Sequence, residues 1–104
     1  MTAERPDFRK KIAIVGVGTV ARFGELFDKS LEDMMVEAYL EALSDAKNVT
    51  PKDIDAAWFG WAIPHNVGAG GSGSQLAETL GLTPKPVTRV ENFCATGAEA
   101  LRNA

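Results

Sequence analysis

Residues 90–104 read VENFCATGAEALRNA and contain the single cysteine of the chain, Cys94. The extended apolar stretch Val87–Phe93 favours a strand that runs into Cys94, and the small-residue run beginning at Ala95 favours a helix. The sequence therefore predicts a thiol at a strand-to-helix junction, near a helix N-terminus. Unpaired N–H groups and the helix dipole at such a position favour the thiolate form of a cysteine. The same N–H groups can hold an oxyanion, so the pattern favours a nucleophilic cysteine that transfers acyl groups.

A structural role for Cys94 is the alternative. A lone cysteine in an apolar stretch is more often a small buried hydrophobic residue than a nucleophile. Because one cysteine without a patterned partner is a weak signal, spacing alone leaves both interpretations open.

The residues around Cys94 follow the pattern V-E-N-x-C-A-[ST]-G-x-x-A-L. The matching positions are Val90, Glu91, Asn92, Cys94, Ala95, Thr96, Gly97, Ala100 and Leu101. This pattern resembles the nucleophile segment of the thiolase family, and within it the chain is most similar to sterol-carrier-protein-type and archaeal-type acetyl-CoA acetyltransferases. The order of the upstream elements agrees, so the resemblance extends over nearly the whole chain.

The resemblance implies acyl transfer between coenzyme A thioesters through an S-acyl intermediate on Cys94. It implies acyl-CoA and acetyl-CoA as substrates, no metal or redox cofactor, and a homo-oligomeric enzyme, either a dimer or a tetramer. The Gly-His-Pro histidine, the second Cys-x-Gly segment and the asparagine-bearing motif of thiolases do not occur in these 104 residues. We therefore expect residues 1–104 to form the N-terminal portion of a thiolase-like N-terminal domain, inactive by itself. A non-catalytic fragment or a subunit completed by another chain is the alternative; ketoacyl synthases and hydroxymethylglutaryl-CoA synthases fit the motif less well.

Composition narrows the class of protein. A hydrophobic content of 45% and a charged content of 24% are ordinary for a soluble globular domain. The net charge of −3 gives no reason to expect nucleic acid or an anionic membrane as a partner. One cysteine excludes an internal disulfide and a multi-thiolate zinc site. The polar N-terminus has no secretory signal and no apolar run is long enough to span a bilayer, so we expect a cytoplasmic protein.

The predicted elements follow the order β-α-(α)-β-α-β-α, which is typical of an α/β domain with a largely parallel sheet. Strands are expected over Lys11–Val17, Ala56–Ile63 and from Val87 onward, and helices are expected to begin near Ser30, Thr50, Ser74 and Ala95. Residues 1–9 are expected to be a flexible tail. A three-stranded parallel sheet needs cover on both faces, and few helices are available, so the chain looks like the first part of a larger fold.

The helix expected after Ser30 carries two kinds of positions. Ser30 and Asp33 form a capping-box pattern. Apolar residues recur at helical spacing after them, while the acidic positions Glu32, Glu37, Glu41 and Asp45 are expected to face outward.

Two glycine patterns and one histidine suggest other functions. Residues 16–21 match the dinucleotide-binding pattern G-x-G-x-x-G/A, but the helix cap comes only at Ser30, which argues against a pyrophosphate site. Residues 68–73 also match G-x-G-x-x-G literally, but the helix expected after them is very short, and by composition they are expected to be a flexible loop. His65 is a tempting base for Cys94, but it is not in a Gly-His-Pro motif, and we favour a structural or exposed role for it.

Overall fold

The computed structural model describes residues 3–62 and 73–104. Its helices and strands are α1 (Leu31–Ala46), β1 (Ala57–Gly60), α2 (Gly73–Thr79), β2 (Val87–Val90) and α3 (Thr96–Asn103). Two single 3₁₀ turns, Pro51–Asp53 and Phe93–Ala95, precede β1 and α3 respectively.

The two strands form a parallel pair. Their register runs from Ala57 opposite Val87 to Gly60 opposite Val90. The pairing continues one residue further, since the Trp61 N–H donates to the Val90 carbonyl at 3.2 Å. Helix α2 packs on β2, and α3 packs on β1. The α/β class and the parallel pairing expected from the sequence are confirmed.

Helix α1 begins where the capping box predicted. The Asp33 N–H donates to the Ser30 hydroxyl at 3.0 Å, and the Ser30 N–H donates to the Asp33 carboxylate at 2.9 Å. These reciprocal bonds satisfy two donors that a helix N-terminus otherwise leaves unpaired. The same arrangement recurs at the Pro51–Asp53 turn, where the Asp53 carboxylate accepts from the Thr50 N–H at 2.8 Å.

The strand expected over Lys11–Val17 is absent, and that prediction is wrong. Residues 12–20 form neither helix nor strand. A strand requires a partner along its edge, and β1 and β2 pair with each other. The segment lies against α1 instead, through two glycines. A Cβ on Gly16 would fall 2.4 Å from the Ala42 carbonyl oxygen, and one on Gly18 would fall 2.1 Å from that of Ala38.

Acidic side chains of α1 hold the backbone of this segment. The N–H groups of Val17, Thr19 and Ala21 donate to Asp45 Oδ2, Glu41 Oε2 and Glu37 Oε1 at 2.9, 2.7 and 2.7 Å. The donors lie two residues apart in the extended segment, and the acceptors lie four residues apart in α1. These two spacings match in length, because two extended residues advance about 6.7 Å and four helical residues about 6 Å. These three carboxylates were expected to face outward. They are instead the acceptors that dock the extended segment.

The buried core is small. Among residues 3–62 and 73–104, the buried side chains are Trp61, Leu76, Ala77, Leu82 and Thr96. Trp61 packs edge-on against Phe59, with ring centroids 6.1 Å apart, so these aromatics serve packing as expected. The radius of gyration, 15.2 Å, exceeds the value of about 13 Å for a compact domain of this length.

The remaining expectations are met in part. Helix α2 is followed by Gly81 at a φ of +66°, a conformation that glycine adopts freely. Residues 3–9 are exposed and irregular, and the mobility of the tail stays a prediction. Ile63, His65 and most of the 68–73 glycine loop lie outside the described residues. In the part of the chain that the structure describes, no helix is long and apolar enough to cross a membrane.

Candidate active site

Cys94 lies in the 3₁₀ turn Phe93–Ala95, between the end of β2 and the start of α3. The strand ends at Val90, four residues before the thiol, so the predicted strand-to-helix junction is present with a tight turn inserted into it. The thiol-bearing residue is exposed. A small buried hydrophobic residue, the structural alternative, would not be.

The turn has a strained backbone before the thiol. Phe93 has a φ of +46°, in the left-handed region that non-glycine residues avoid at a cost of roughly 1–2 kcal/mol. Its N–H donates to the Glu91 carboxylate, and its side chain is 80% exposed. Nothing in the sequence signals this conformation, because glycine and asparagine are the residues that usually mark it.

The hydroxyl of Thr96 links the two residues on the N-terminal side of Cys94. Its Oγ1 accepts from the Asn92 N–H at 2.9 Å and donates to the Phe93 carbonyl at 2.7 Å. The Ala95 N–H also donates to the Asn92 carbonyl, at 2.9 Å. Main-chain and side-chain bonds therefore close the turn from both ends.

Strand β1 supports this turn through Gly60. A Cβ built on Gly60 would lie 2.9 Å from Thr96 Cγ2 and 3.1 Å from the Thr96 carbonyl oxygen. Thr96 is only 7% exposed and is the one buried polar residue among those described. An isolated glycine in a strand is a recognised signal of close backbone approach, and here it marks the contact that seats α3.

The other polar groups nearby stabilise the elements around the turn. Arg89 Nη2 donates to the Trp61 carbonyl at 3.0 Å and so ties β2 to the residue after β1. On α3, the Arg102 guanidinium and then the Asn103 amide hold the pKa of Glu99 below its ordinary value. The Arg102 side chain is exposed and that of Glu99 is partly buried, and the pair stabilises α3.

The structure does not support the dinucleotide interpretation. The glycines that match the fingerprint, Gly16 and Gly18, lie against the middle and C-terminal turns of α1. The pyrophosphate of such a ligand sits at a helix N-terminus, and here that terminus is at Leu31.

The described residues contain no cluster of metal-ligating side chains. In residues 3–62 and 73–104, no group of three or more His, Cys, Asp or Glu side chains could hold a metal ion. An open groove of about 580 Å³ runs between α2 and residues 83–85, and Cys94 is not among its lining residues.

Comparison with known proteins identifies the family. The chain is 42% identical over 100 residues to the acetyl-CoA acetyltransferase of Methanothermobacter thermautotrophicus, an alignment that covers 90% of the chain. It is 41% identical over 96 residues to the acetyl-CoA acetyltransferase of Methanocaldococcus jannaschii, which covers 91% of it. The chain belongs to the thiolase family. The archaeal type expected from the Cys94 motif is thereby confirmed.

A more distant relative is consistent with this assignment. Sterol carrier protein 2 of Bos taurus is 30% identical over 104 residues, covering 97% of the chain and 18% of that protein. The chain spans about a quarter of the length of the archaeal thiolase relatives, 24% in both cases. No protein-family model matches it.

Proposed function

We propose that Cys94 is the nucleophile of a thiolase that makes or cleaves 3-ketoacyl-CoA. The observation that carries this proposal is an exposed thiol in a strained turn directly before α3, within a chain about 42% identical to acetyl-CoA acetyltransferases. Exposure matters because the sulfur has to reach the carbonyl carbon of a bulky thioester.

In the first half-reaction of the synthetic direction, the Cys94 thiolate attacks the carbonyl carbon of an acyl-CoA. The new bond joins Sγ to that carbon, and the bond from the carbon to the CoA sulfur breaks. CoA leaves as a thiolate and takes up a proton. The backbone N–H of Cys94 is proposed as one donor to the intermediate oxyanion, which is the charge that such a site has to stabilise.

In the second half-reaction, the acyl group leaves Cys94. In the synthetic direction the enolate carbon of an acetyl-CoA attacks it and forms 3-ketoacyl-CoA. In the degradative direction the Cys94 thiolate first attacks the C3 ketone carbon of 3-ketoacyl-CoA, the C2–C3 bond breaks, and acetyl-CoA leaves as its enolate and takes up a proton. The thiol of CoA then accepts the acyl group from Cys94. A thioester intermediate suits both outcomes, since its carbonyl is more reactive than that of an oxygen ester. CoA is a substrate in this scheme, and no metal or redox step is needed.

The proposal extends to the setting of the reaction. A second cysteine and a Gly-His-Pro histidine would supply the acid and base, and residues 1–104 contain neither. We expect the isolated 104-residue chain to cleave no acetoacetyl-CoA. A homodimer or homotetramer in the cytoplasm is the expected working form, on the resemblance to thiolases.

The test is CoA-dependent cleavage of acetoacetyl-CoA by the protein produced from its native gene, as distinct from residues 1–104 in isolation. Wild-type protein should cleave the substrate, and Cys94→Ala should lose at least about 10³-fold in kcat, in line with removal of a covalent nucleophile. Circular dichroism of the variant checks that it remains folded. A folded Cys94→Ala protein with wild-type turnover would refute the role of Cys94.

A further inference from the structure

The turn that carries Cys94 needs a device that holds it in place. Phe93 is held at a positive φ without the help of a glycine, and strain of this kind persists only where the surroundings over-determine the backbone. The side chain of Phe93 is largely exposed and cannot supply that support. The support has to come from the bonds and contacts of the neighbouring residues.

Thr96 provides two of these bonds with one oxygen. Its hydroxyl accepts from the Asn92 N–H and donates to the Phe93 carbonyl. The hydroxyl therefore binds the peptide group between Glu91 and Asn92 and the one between Phe93 and Cys94, and so bridges the segment that contains Phe93. Because the side chain is buried, water competes poorly for either bond.

The methyl group of Thr96 fixes the direction of the hydroxyl. Gly60 leaves the space that Cγ2 occupies, and a Cβ there would lie only 2.9 Å from it. A β-branched side chain has few χ1 choices, so a methyl seated against β1 leaves the oxygen pointing at the turn. The sheet is thus connected mechanically to the thiol through one side chain.

We propose that Thr96 is a positioning residue for Cys94. It sets the orientation of the thiol by holding the strained turn, and it does not itself contact substrate. The proposal deepens the thiolase function proposed above and rests on it for its catalytic consequence. Its structural consequence, control of the reactivity of the thiol, is independent of the substrate.

The test compares Thr96→Val with Thr96→Ser in the protein produced from its native gene. Valine keeps the shape and the methyl contact with Gly60 but removes both hydrogen bonds. Serine keeps both hydrogen bonds and removes only the methyl group. For each variant, the rate of Cys94 alkylation by iodoacetamide is measured between about pH 5 and 9, a range over which protein thiols ionise. The kcat and KM with acetoacetyl-CoA are measured as well.

Valine should lower kcat by roughly 10- to 100-fold with KM changed much less, the scale expected for misplacement of a reacting group. It should also change the pH dependence of alkylation. Serine should restore both properties to within about threefold of wild type, even where its thermal stability falls because a buried methyl is lost. Rescue by serine separates positioning from stability.

The outcomes distinguish this proposal from the function. If wild-type protein shows no thiolase activity, the function fails, and the alkylation profiles still decide the role of Thr96. If Thr96→Val matches wild type in alkylation, or serine is impaired as much as valine, the positioning role is overturned. A Thr96→Val protein that loses stability but keeps wild-type kcat and alkylation contradicts it as well.

Discussion

Gly60→Ala perturbs the candidate active site through β1, the strand against which Thr96 packs. The added Cβ would lie 2.9 Å from Thr96 Cγ2 and 3.1 Å from the Thr96 carbonyl oxygen, whereas ordinary contacts begin at 3.4 Å. One of the two residues must therefore move by about half an ångström. Thr96 has little room to do so, because it is buried and bonded to the turn.

The expected loss follows from two opposing effects. Overpacking of a well-packed site costs roughly 1–3 kcal/mol, while replacing glycine by alanine returns about 0.4–1 kcal/mol by restricting the unfolded chain. The free energy of unfolding should therefore fall by about 1–2 kcal/mol. Since α3 starts two residues after Cys94, its displacement should also slow the alkylation of the thiol.

Gly97→Ala is the matched control. Gly97 follows Thr96 in α3, and a Cβ built there meets nothing within 4 Å in the described structure. Alanine is the better helix former, so this change should raise stability by about 0.5–1 kcal/mol. Urea denaturation of both variants gives the comparison. Equal stability of Gly60→Ala and wild type, or greater loss in Gly97→Ala, would refute the contact between β1 and α3.

Three further predictions concern other parts of the chain. Lys29 and then the Ala21 N–H hold the pKa of Glu37 below its ordinary value of 4.5, so its stabilising effect is present above that pH and is lost as the pH falls through the lowered value. The protection factor of the Ala21 amide against hydrogen exchange, taken relative to its intrinsic rate at each pH, should fall there, and less so in Glu37→Gln. Phe93→Gly should raise the free energy of unfolding by about 1 kcal/mol in urea denaturation, since glycine adopts a positive φ without strain; a loss of stability would show that the phenyl ring is held. Leu76→Ala removes a side chain that is 1% exposed and should cost about 2–5 kcal/mol in the same measurement, so a loss under 1 kcal/mol would contradict its place in the core.

Local signals in the sequence were sufficient for the helices. The Ser30–Asp33 capping box and the Thr50–Asp53 box act within four residues, and the structure contains both. Gly81 likewise ends α2 through its own backbone freedom. Such features are predictable because the partners of each bond lie next to each other in the chain.

Signals that depend on distant partners were less informative. The β-branched run at residues 11–17 has strand propensity, but propensity supplies no neighbouring edge, and this segment docks on α1 instead. From the sequence, an acidic residue such as Glu41 is expected to face solvent. Only the structure shows that its carboxylate accepts a hydrogen bond from the backbone of the extended segment. Pattern alone does not specify which long-range partner satisfies a group.

The candidate site likewise has features that the sequence predicts and features that it does not. The position of Cys94 at a strand-to-helix junction was predictable from the residues on either side of it, and the motif around it indicated the thiolase family. The positive φ of Phe93 was not, because it results from bonds made by Thr96 and from the packing of Thr96 on Gly60. The glycine in the strand was the one available sign of that contact.

Trapping the acyl-enzyme tests the role of Cys94 as nucleophile most directly. Wild-type protein mixed with acetyl-CoA alone and quenched in acid would be digested with trypsin, which releases residues 90–102 as one peptide carrying Cys94. We expect the mass of one added acetyl group on that peptide. CoA added before the quench should remove it, and Cys94→Ala should lack it. An active protein that forms no acetyl adduct on Cys94, or one whose adduct is unaffected by CoA, would contradict that role.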